Sequence, residues 1–211
     1  CVTNKIRQMY GVYFGEYTDT LRLEELKEQR ILDSMEKALE QHQFQVYYQP
    51  KHLSIGGAPV GAEALVRWNH PEYGFMNPGE FIPLFERIGF IRDLDYYVWT
   101  QVCQDINRWK AKGLPLVPVS INLSRRDFET PNLADRIMEL IQENGIEPEL
   151  IHVELTESAF SDDPTRISDC LETLHRQRIV IELDDFGVGY SSLTTLNSLD
   201  LDILKIDMSI I

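Results

Sequence analysis

The chain has 211 residues, of which 43% are hydrophobic, which is enough for one sizeable core but too short for two full domains. Its 34 acidic residues outnumber 20 basic ones, and the resulting net charge of −14 repels nucleic-acid backbones and argues against a general DNA or RNA binder. The three cysteines show no Cys-x-x-Cys spacing, which argues against a disulfide framework or a zinc site and suits a reducing cytoplasm. No apolar run approaches the roughly 18 residues that a membrane span needs, so a cytoplasmic location is predicted.

The N-terminal part of the chain contains one long helical pattern. Residues 12–14 are able to form an edge strand, and residues 21–41 are rich in Glu, Lys, Leu and Arg with no Gly or Pro. Leu32, Met35 and Leu39 recur there at helical spacing, which predicts an amphipathic helix. Such a helix could be a linker that transmits a signal, although packing is the commoner explanation of an apolar stripe.

From residue 44 onward, strand and helix patterns alternate. Strands are predicted at residues 45–49, 61–68, 117–124, 151–156, 179–185 and 203–207. One helix begins at Asn77 and Pro78, with Glu80 placed for a capping box, and others are predicted at residues 93–112, 133–143 and 165–177. This alternation predicts parallel strands joined by crossover helices, and hence an α/β sheet or barrel.

Each of four predicted strands has an aliphatic face and a polar face. In residues 151–156, for example, three aliphatic residues alternate with His152, Glu154 and Thr156. The aliphatic face suits packing against outer helices, so the polar face points inward, where we expect His152 to be a hydrogen-bonded interior residue. Asn122, Glu154 and Asp184 fall near the carboxyl ends of their strands, the end that carries the active site in (β/α) barrels.

Glu63, Asn122, Glu154 and Asp184 are therefore expected to converge, with Asp185 beside them. Clustered carboxylates cannot all stay ionised without compensation, and oxygen-only ligands select Mg²⁺ or Mn²⁺ over zinc. Because Asp184 and Asp185 are adjacent, one carboxylate can bridge to a second ion, and two such ions are the usual device for attack on a phosphodiester. Recurrence in four strands argues against separate, solvated strand-end acids.

Lys205 interrupts an apolar run, where an unpaired lysine would be costly. It could orient an attacking water or hold charge that develops on phosphate, with Asp207, of the same strand parity, as its partner. The next feature of interest is residues 185–192, which contain Gly187 and Gly189. They are either a tight turn that opens a helix or a mobile loop that sets Asp185; a phosphate cradle is a third option, but their spacing does not match a P-loop.

Taken in order, these motifs resemble the EAL family of bacterial cyclic di-GMP phosphodiesterases. The name-giving Glu-Ala-Leu occupies residues 63–65 within Gly-Ala-Glu-Ala-Leu-Val-Arg-Trp. It is followed by Asn-His-Pro at 69–71, Phe-Ile-Pro at 81–83, Ile-Asn-Leu-Ser at 121–124, Glu-Leu-Thr-Glu-Ser at 154–158, Asp-Asp-Phe-Gly at 184–187 and Leu-Lys-Ile-Asp at 204–207. Three residues alone would mean nothing, but this order and spacing are specific.

The resemblance implies a TIM-like (β/α)8 barrel that is incomplete at its C-terminal end, with its first six strands in residues 44–211 and a linker helix over residues 21–43 before them. It also implies a reaction, the hydrolysis of cyclic di-GMP to linear pGpG with two Mg²⁺ or Mn²⁺ ions. Several site residues carry over: one ion held by Glu63, Asn122, Glu154 and Asp184, a second by Asp185, catalytic roles for Lys205 and Glu63, a loop anchor in Glu157, and nucleotide contacts from Gln49 and Arg67.

Partners and boundaries follow from the same resemblance. Family members often dimerise near the Asp184–Asp185 loop, so a homodimer is expected. Residues 5–17 resemble the tail of a diguanylate-cyclase-type (GGDEF) domain, which would make residues 1–20 the end of such an upstream domain. The chain begins at Cys1 and stops at Ile211, before two further strands that bring a glutamate to the metal site and a glutamine to the guanine pocket. We therefore expect a longer parent phosphodiesterase, which could be membrane-anchored, and an inactive 211-residue piece containing the first six barrel strands.

Three alternatives remain open. The domain could be a sensor that binds cyclic di-GMP without cleaving it, although the motif acids and Lys205 are all present. The helix at residues 21–41 could be an interaction scaffold with the barrel as passenger. A different metal-dependent barrel, such as an enolase-type lyase, would show no activity on phosphodiesters.

Overall fold

The structure is a computed structural model that describes residues 19–187 and 200–210. In the described residues the helices are α1 (Asp19–Glu40), α2 (Pro78–Ile88), α3 (Ile91–Ala111), α4 (Leu133–Glu143), α5 (Glu157–Asp162) and α6 (Pro164–Arg176). The strands are β1 (Phe44–His52), β2 (Pro59–His70), β3 (Gly74–Met76), β4 (Val119–Asn122), β5 (Ile151–Thr156), β6 (Val180–Phe186) and β7 (Ile203–Ile206). Short 3-10 turns lie at Asp127–Glu129, Pro148–Leu150 and Met208–Ile210.

These strands form one sheet in the order β1-β2-β4-β5-β6-β7, with the short β3 paired to β2. From β2 onward the main strands are parallel, as predicted. The prediction is wrong for β1, which runs antiparallel to β2. Only residues 53–58 connect these two strands, and a parallel crossover needs a dozen residues or more.

Local sequence signals place the helix ends well. Before α2 the backbone N–H of Asn77 donates to Glu80 Oε1 at 3.1 Å, and Gly89 ends the helix with φ +85°. Helix α4 has the bounds predicted for it, whereas the strand expected at residues 117–124 is shortened to β4. The edge strand expected at residues 12–14 lies outside the described residues.

The core lies between the aliphatic face of the sheet and the helices. Val119, Val153 and Ile181, one from each of three adjacent strands, are fully buried. On α1, Ile31 and Ala38 are buried, and the predicted stripe of Leu32, Met35 and Leu39 packs against the core. Packing therefore accounts for that stripe, and a signalling role of the helix stays a prediction. Among the described helices, none has the length and apolar character to cross a membrane.

Candidate active site

Three carboxylates and one ammonium meet near the carboxyl ends of β5, β6 and β7; one of the three carboxylates, Glu63, lies within β2 where its pairing with β4 ends. Lys205 Nζ on β7 lies 2.9 Å from Glu63 Oε2 on β2 and 3.1 Å from Asp184 Oδ2 on β6, and it also donates to Glu154 Oε1 on β5. The Glu154 side chain is fully buried, whereas the other three side chains are between 19% and 27% exposed. The site therefore opens to solvent on one side and closes on Glu154 at its floor.

The prediction that Lys205 pairs with Asp207 is wrong. Asp207 lies after β7, and its carboxylate accepts a hydrogen bond from the backbone N–H of Ser209 at 2.7 Å. Lys205 is instead paired with carboxylates 21 to 142 residues away in the chain. Parity alone pointed to Asp207, but parallel pairing brings acids from other strands within hydrogen-bond distance of the ammonium.

Burial and the charges within the cluster shift the pKa values of Glu154, Asp184 and Lys205. Burial and the neighbouring Asp184 carboxyl raise the pKa of Glu154 to about 8, although Lys205 opposes the shift. Burial would raise the pKa of Asp184 as well, but its hydrogen bonds with Glu154 and Lys205 lower it. Burial alone would lower the pKa of Lys205, yet hydrogen bonds to Glu154 and Glu63 raise it above its ordinary value. Burial thus favours the neutral form of Glu154, whereas the surrounding carboxylates favour the charged form of Lys205.

Asp185 sits beside the cluster in an unusual backbone conformation. Its φ is +54°, a left-handed value that few non-glycine residues adopt, and the pairing of β6 with β7 shifts register at this point. Burial and the negative charges of Asp184 and Asp207 raise the pKa of Asp185. Strained conformations of this kind cluster at functional sites, where the surrounding structure enforces them.

Asn122 is the last residue of β4 and lies opposite Glu154 in the β4–β5 pairing. Its backbone carbonyl accepts a hydrogen bond from Trp99 Nε1 at 3.1 Å, which ties the strand end to α3. The register thus places Asn122 beside Glu154 on the neighbouring strand.

Glu157 makes the contact expected of a loop anchor. It is buried at the start of α5, and its Oε2 accepts a hydrogen bond from the backbone N–H of Gly187 at 2.9 Å. Gly187 has φ +100°, a conformation that favours glycine. Residues 188–192 of the predicted glycine loop lie outside the described residues, so its motion stays a prediction.

The two residues expected to contact nucleotide lie on adjacent strands, on the face of the sheet that carries Glu63. Gln49 on β1 is exposed and stands directly opposite Glu63 in the β1–β2 pairing, so the two side chains share a face. Arg67 follows four residues after Glu63 on β2, and its Nη1 donates to the carbonyl of Val66 at 2.8 Å. The structure therefore places Gln49 beside the cluster and Arg67 further along the strand.

A second polar layer, which sequence reasoning missed, lies beneath the cluster. Ser120, His152 and Glu182 stand two residues before Asn122, Glu154 and Asp184 on the same strands, and Lys51 of β1 joins them. His152 Nδ1 lies 2.7 Å from Glu182 Oε1, so His152 is the interior hydrogen-bonded histidine that was predicted. The signal for this layer was the inward parity of all three residues.

A cavity of about 580 Å³ opens beside Asn122. Its wall includes Leu65, Pro78 and Asp95. Burial and the charge of the nearby Asp127 raise the pKa of Asp95 well above its usual range. Sequence reasoning missed this acid too, although it falls on the apolar stripe of α3.

The donor set suits a hard divalent cation. Carboxylate and amide oxygens are the ligands that Mg²⁺ and Mn²⁺ prefer, and oxygens of Glu63, Glu154 and Asp184 converge here on one point, now occupied by Lys205 Nζ. Within residues 19–187 and 200–210, however, no three His, Cys, Asp or Glu side chains are arranged to hold an ion as they stand. Lys205 Nζ lies among the carboxylates instead, so binding an ion between them requires that ammonium to move aside.

Helices alternating with parallel strands, and an acidic cluster near the carboxyl ends of those strands, define the class, an α/β domain with its site at that end of the sheet. A family model described as EAL domain matches residues 32–211, so the chain belongs to the EAL domain family. The predicted family and the EAL-type fold are confirmed.

Relatives and solved structures agree with this assignment. Over 86% of its own length, this chain is 36% identical to the bifunctional diguanylate cyclase/cyclic di-GMP phosphodiesterase MucR of Pseudomonas aeruginosa. Over 94% of its own length, it is 32% identical to the cyclic di-GMP phosphodiesterase PA2567 of that organism. It spans only 27% and 34% of those two proteins. Among solved structures, the PaMucR phosphodiesterase in complex with c-di-GMP matches with a TM-score of 0.79 at 36% identity, covering 84% of this chain and 72% of that one. The EAL enzyme Bd1971 matches with 0.79 at 26% identity, covering 87% and 51%.

Proposed function

We propose that this domain hydrolyses cyclic di-GMP to linear pGpG with the help of two divalent cations. The observation that carries the proposal is the meeting of Glu63, Glu154 and Asp184, from three parallel strands, around Lys205 of a fourth. Two relatives that carry the phosphodiesterase name, and a matched structure in complex with c-di-GMP, support the substrate.

The proposed ion ligands are the cluster residues themselves. Glu63, Asn122, Glu154 and Asp184 would hold one ion, and Asp185 would help to hold the second. Bound divalent ions supply a nucleophilic water of lowered pKa and offset the charge of the phosphate. Their positive charge would also allow a chain of net charge −14 to bind a doubly anionic substrate, which it would otherwise repel.

The protein's own groups then position and stabilise the reacting atoms. Once displaced from the carboxylates, the Lys205 ammonium would orient the attacking water and face the charge that develops on phosphate. Arg67 would bind a phosphate oxygen, and Gln49 would contact the nucleotide on the same face of the sheet. Attack of water on one phosphorus breaks its bond to the 3′ oxygen, which leaves a 5′ phosphate and a free 3′ hydroxyl, as in pGpG.

Glu157 has a supporting role in this scheme. By accepting a hydrogen bond from Gly187, it would fix the backbone two residues after Asp185 and so keep that carboxylate at the site. Its buried position makes the anchor a stiff one.

The surrounding protein is also part of the proposal. The relative MucR carries a diguanylate cyclase name as well, which supports a GGDEF-like partner domain upstream of this one. The free thiols of Cys103 and Cys170 suit the reducing cytoplasm, and a homodimer remains our expectation for the assembly.

One geometric feature favours the alternative function. The Lys205 ammonium lies where an ion would bind between the carboxylates, which would suit a sensor that holds cyclic di-GMP without metal or turnover. The two functions predict different outcomes in the same assay: the enzyme releases pGpG, and the sensor binds the intact ring.

The decisive assay is cyclic di-GMP turnover by the full-length protein with Mg²⁺, with Mn²⁺ and with EDTA. We expect metal-dependent release of pGpG, loss of that release in Glu63→Gln, and wild-type rates in Glu172→Gln, the same substitution at an exposed residue of α6. Tight binding of the intact ring without turnover would replace the enzyme by the sensor. A protein that neither binds nor hydrolyses cyclic di-GMP would overturn both functions.

A further inference from the structure

The polar layer beneath the cluster is a closed network around one buried carboxylate. Lys51 Nζ donates to Ser120 Oγ at 2.7 Å and to Glu182 Oε2. The other oxygen, Glu182 Oε1, accepts from Ser120 Oγ at 2.8 Å and is 2.7 Å from His152 Nδ1. Both oxygens of a fully buried glutamate are thus satisfied, and Lys51 is held in one place.

The backbone leaves a path for the Lys51 side chain. Gly61 of β2 is the residue directly opposite Lys51 in the β1–β2 pairing. A Cβ atom at Gly61 would lie 3.2 Å from the carbonyl oxygen of Pro118 and 3.8 Å from Lys51 Cδ. A larger residue at position 61 would crowd the Pro118 carbonyl and the Lys51 side chain, so the glycine leaves room for the ammonium to reach Ser120 and Glu182.

Lys51 also faces the floor of the cluster. Its Nζ lies 3.7 Å from Glu154 Oε2, which is the buried oxygen that has no hydrogen-bond partner. The other oxygen, Glu154 Oε1, bonds Lys205 on the cluster side. The Glu154 carboxylate is therefore held between two ammonium groups, one in each layer, and its two oxygens face opposite ways.

We propose that Lys51 is a positioning residue that keeps Glu154 Oε2 turned toward the lower layer and Oε1 toward the cluster. Glu154 then offers a single, fixed oxygen to a divalent ion. This inference rests on the proposed function, because it assigns Glu154 to ion binding. Partners that orient a metal ligand from behind typically contribute 10- to 100-fold to metal affinity.

The charge of the lower layer has to be controlled in the test, because Lys51→Met alone leaves Glu182 buried without its cation. The double variant Lys51→Met/Glu182→Gln removes the ion pair as a whole, so that folding is spared while Glu154 still lacks its anchor. Lys51→Arg keeps a cation with several donors at the same place and serves as the conservative variant. Glu172→Gln is the surface control.

The first measurement is Mn²⁺ affinity of the full-length protein without substrate, from the electron paramagnetic resonance signal of free Mn²⁺. We expect the double variant to bind Mn²⁺ about tenfold more weakly than wild type, and Lys51→Arg to stay within about threefold. The second measurement is turnover against Mn²⁺ concentration. We expect the half-saturating concentration to rise in the double variant while kcat at saturating Mn²⁺ changes little, a split that misfolding would not produce.

The outcomes separate the two ideas. A folded double variant with wild-type Mn²⁺ affinity would overturn the role of Lys51, even if the wild type hydrolyses cyclic di-GMP. Weakened Mn²⁺ binding in a protein that does not turn over substrate would support Lys51 and overturn the phosphodiesterase. A wild type that binds no Mn²⁺ would overturn both.

Discussion

Glu182→Gln should cost this domain a large part of its stability. The ordinary pKa of the glutamate is 4.5; burial alone would raise it, but hydrogen bonds from His152, Lys51 and Ser120 lower the pKa to about 2. A difference of roughly 2.5 pKa units, at about 1.36 kcal/mol each, corresponds to about 3 kcal/mol of folding free energy. Breaking a buried ion pair by removing one partner costs about 3–5 kcal/mol by comparison, so the two figures agree.

The stability lost in Glu182→Gln should depend on pH. Because the folded-state pKa of Glu182 is depressed, its contribution to stability is present above pH 4.5 and is lost as the pH falls toward 2. The variant lacks that titration. The difference between wild type and Glu182→Gln should therefore be full at pH 7 and shrink progressively below pH 4.5.

Urea unfolding and thermal unfolding, both followed by circular dichroism in EDTA from pH 3 to 7, measure the free energy of unfolding, Tm and their pH dependence. At pH 7 a loss of about 3 kcal/mol would lower Tm by roughly 6–12 °C in a domain of this size. The control Glu172→Gln, at an exposed position, should change stability by less than about 0.5 kcal/mol. A loss below about 1 kcal/mol, or a loss that does not vary with pH, would refute the reasoning.

Three further predictions concern the cluster and its surroundings. Lys205→Met should lower cyclic di-GMP turnover at least about 100-fold in a chromatographic assay of pGpG, and near-normal rates would remove Lys205 from the mechanism. Asp95→Asn should raise Tm relative to wild type, because burial and Asp127 raise the folded-state pKa of Asp95 and the ionised form therefore destabilises the fold. The gain in Tm, about 2–4 °C per kcal/mol of folding free energy, should grow as the pH rises from 4 to 8. A gain in Tm that does not vary with pH in thermal melts would contradict this. Glu157→Ala should reduce kcat about tenfold by freeing the Gly187 backbone, and turnover within twofold of wild type would exclude the anchor role.

Strand periodicity in the sequence was sufficient to place the candidate site. A strand alternates its side chains between two faces, so the inward parity of Asn122, Glu154 and Asp184 could be read without any tertiary information. Their position near strand ends then followed from where the apolar runs stop, and capping residues placed the start of α2. These are local properties of a few consecutive residues, and the sequence contains them in full.

The polar partners were decided by tertiary structure. Lys51 lies beyond the strand predicted at residues 45–49, and it meets Glu182, 131 residues away, because β1 runs antiparallel to β2. Lys205 pairs with three carboxylates from other strands rather than with Asp207. Parity tells which face a side chain occupies, but it carries no information on which strands are neighbours or on their register. The charge partners of a buried lysine depend on both, and so only the folded sheet determines them.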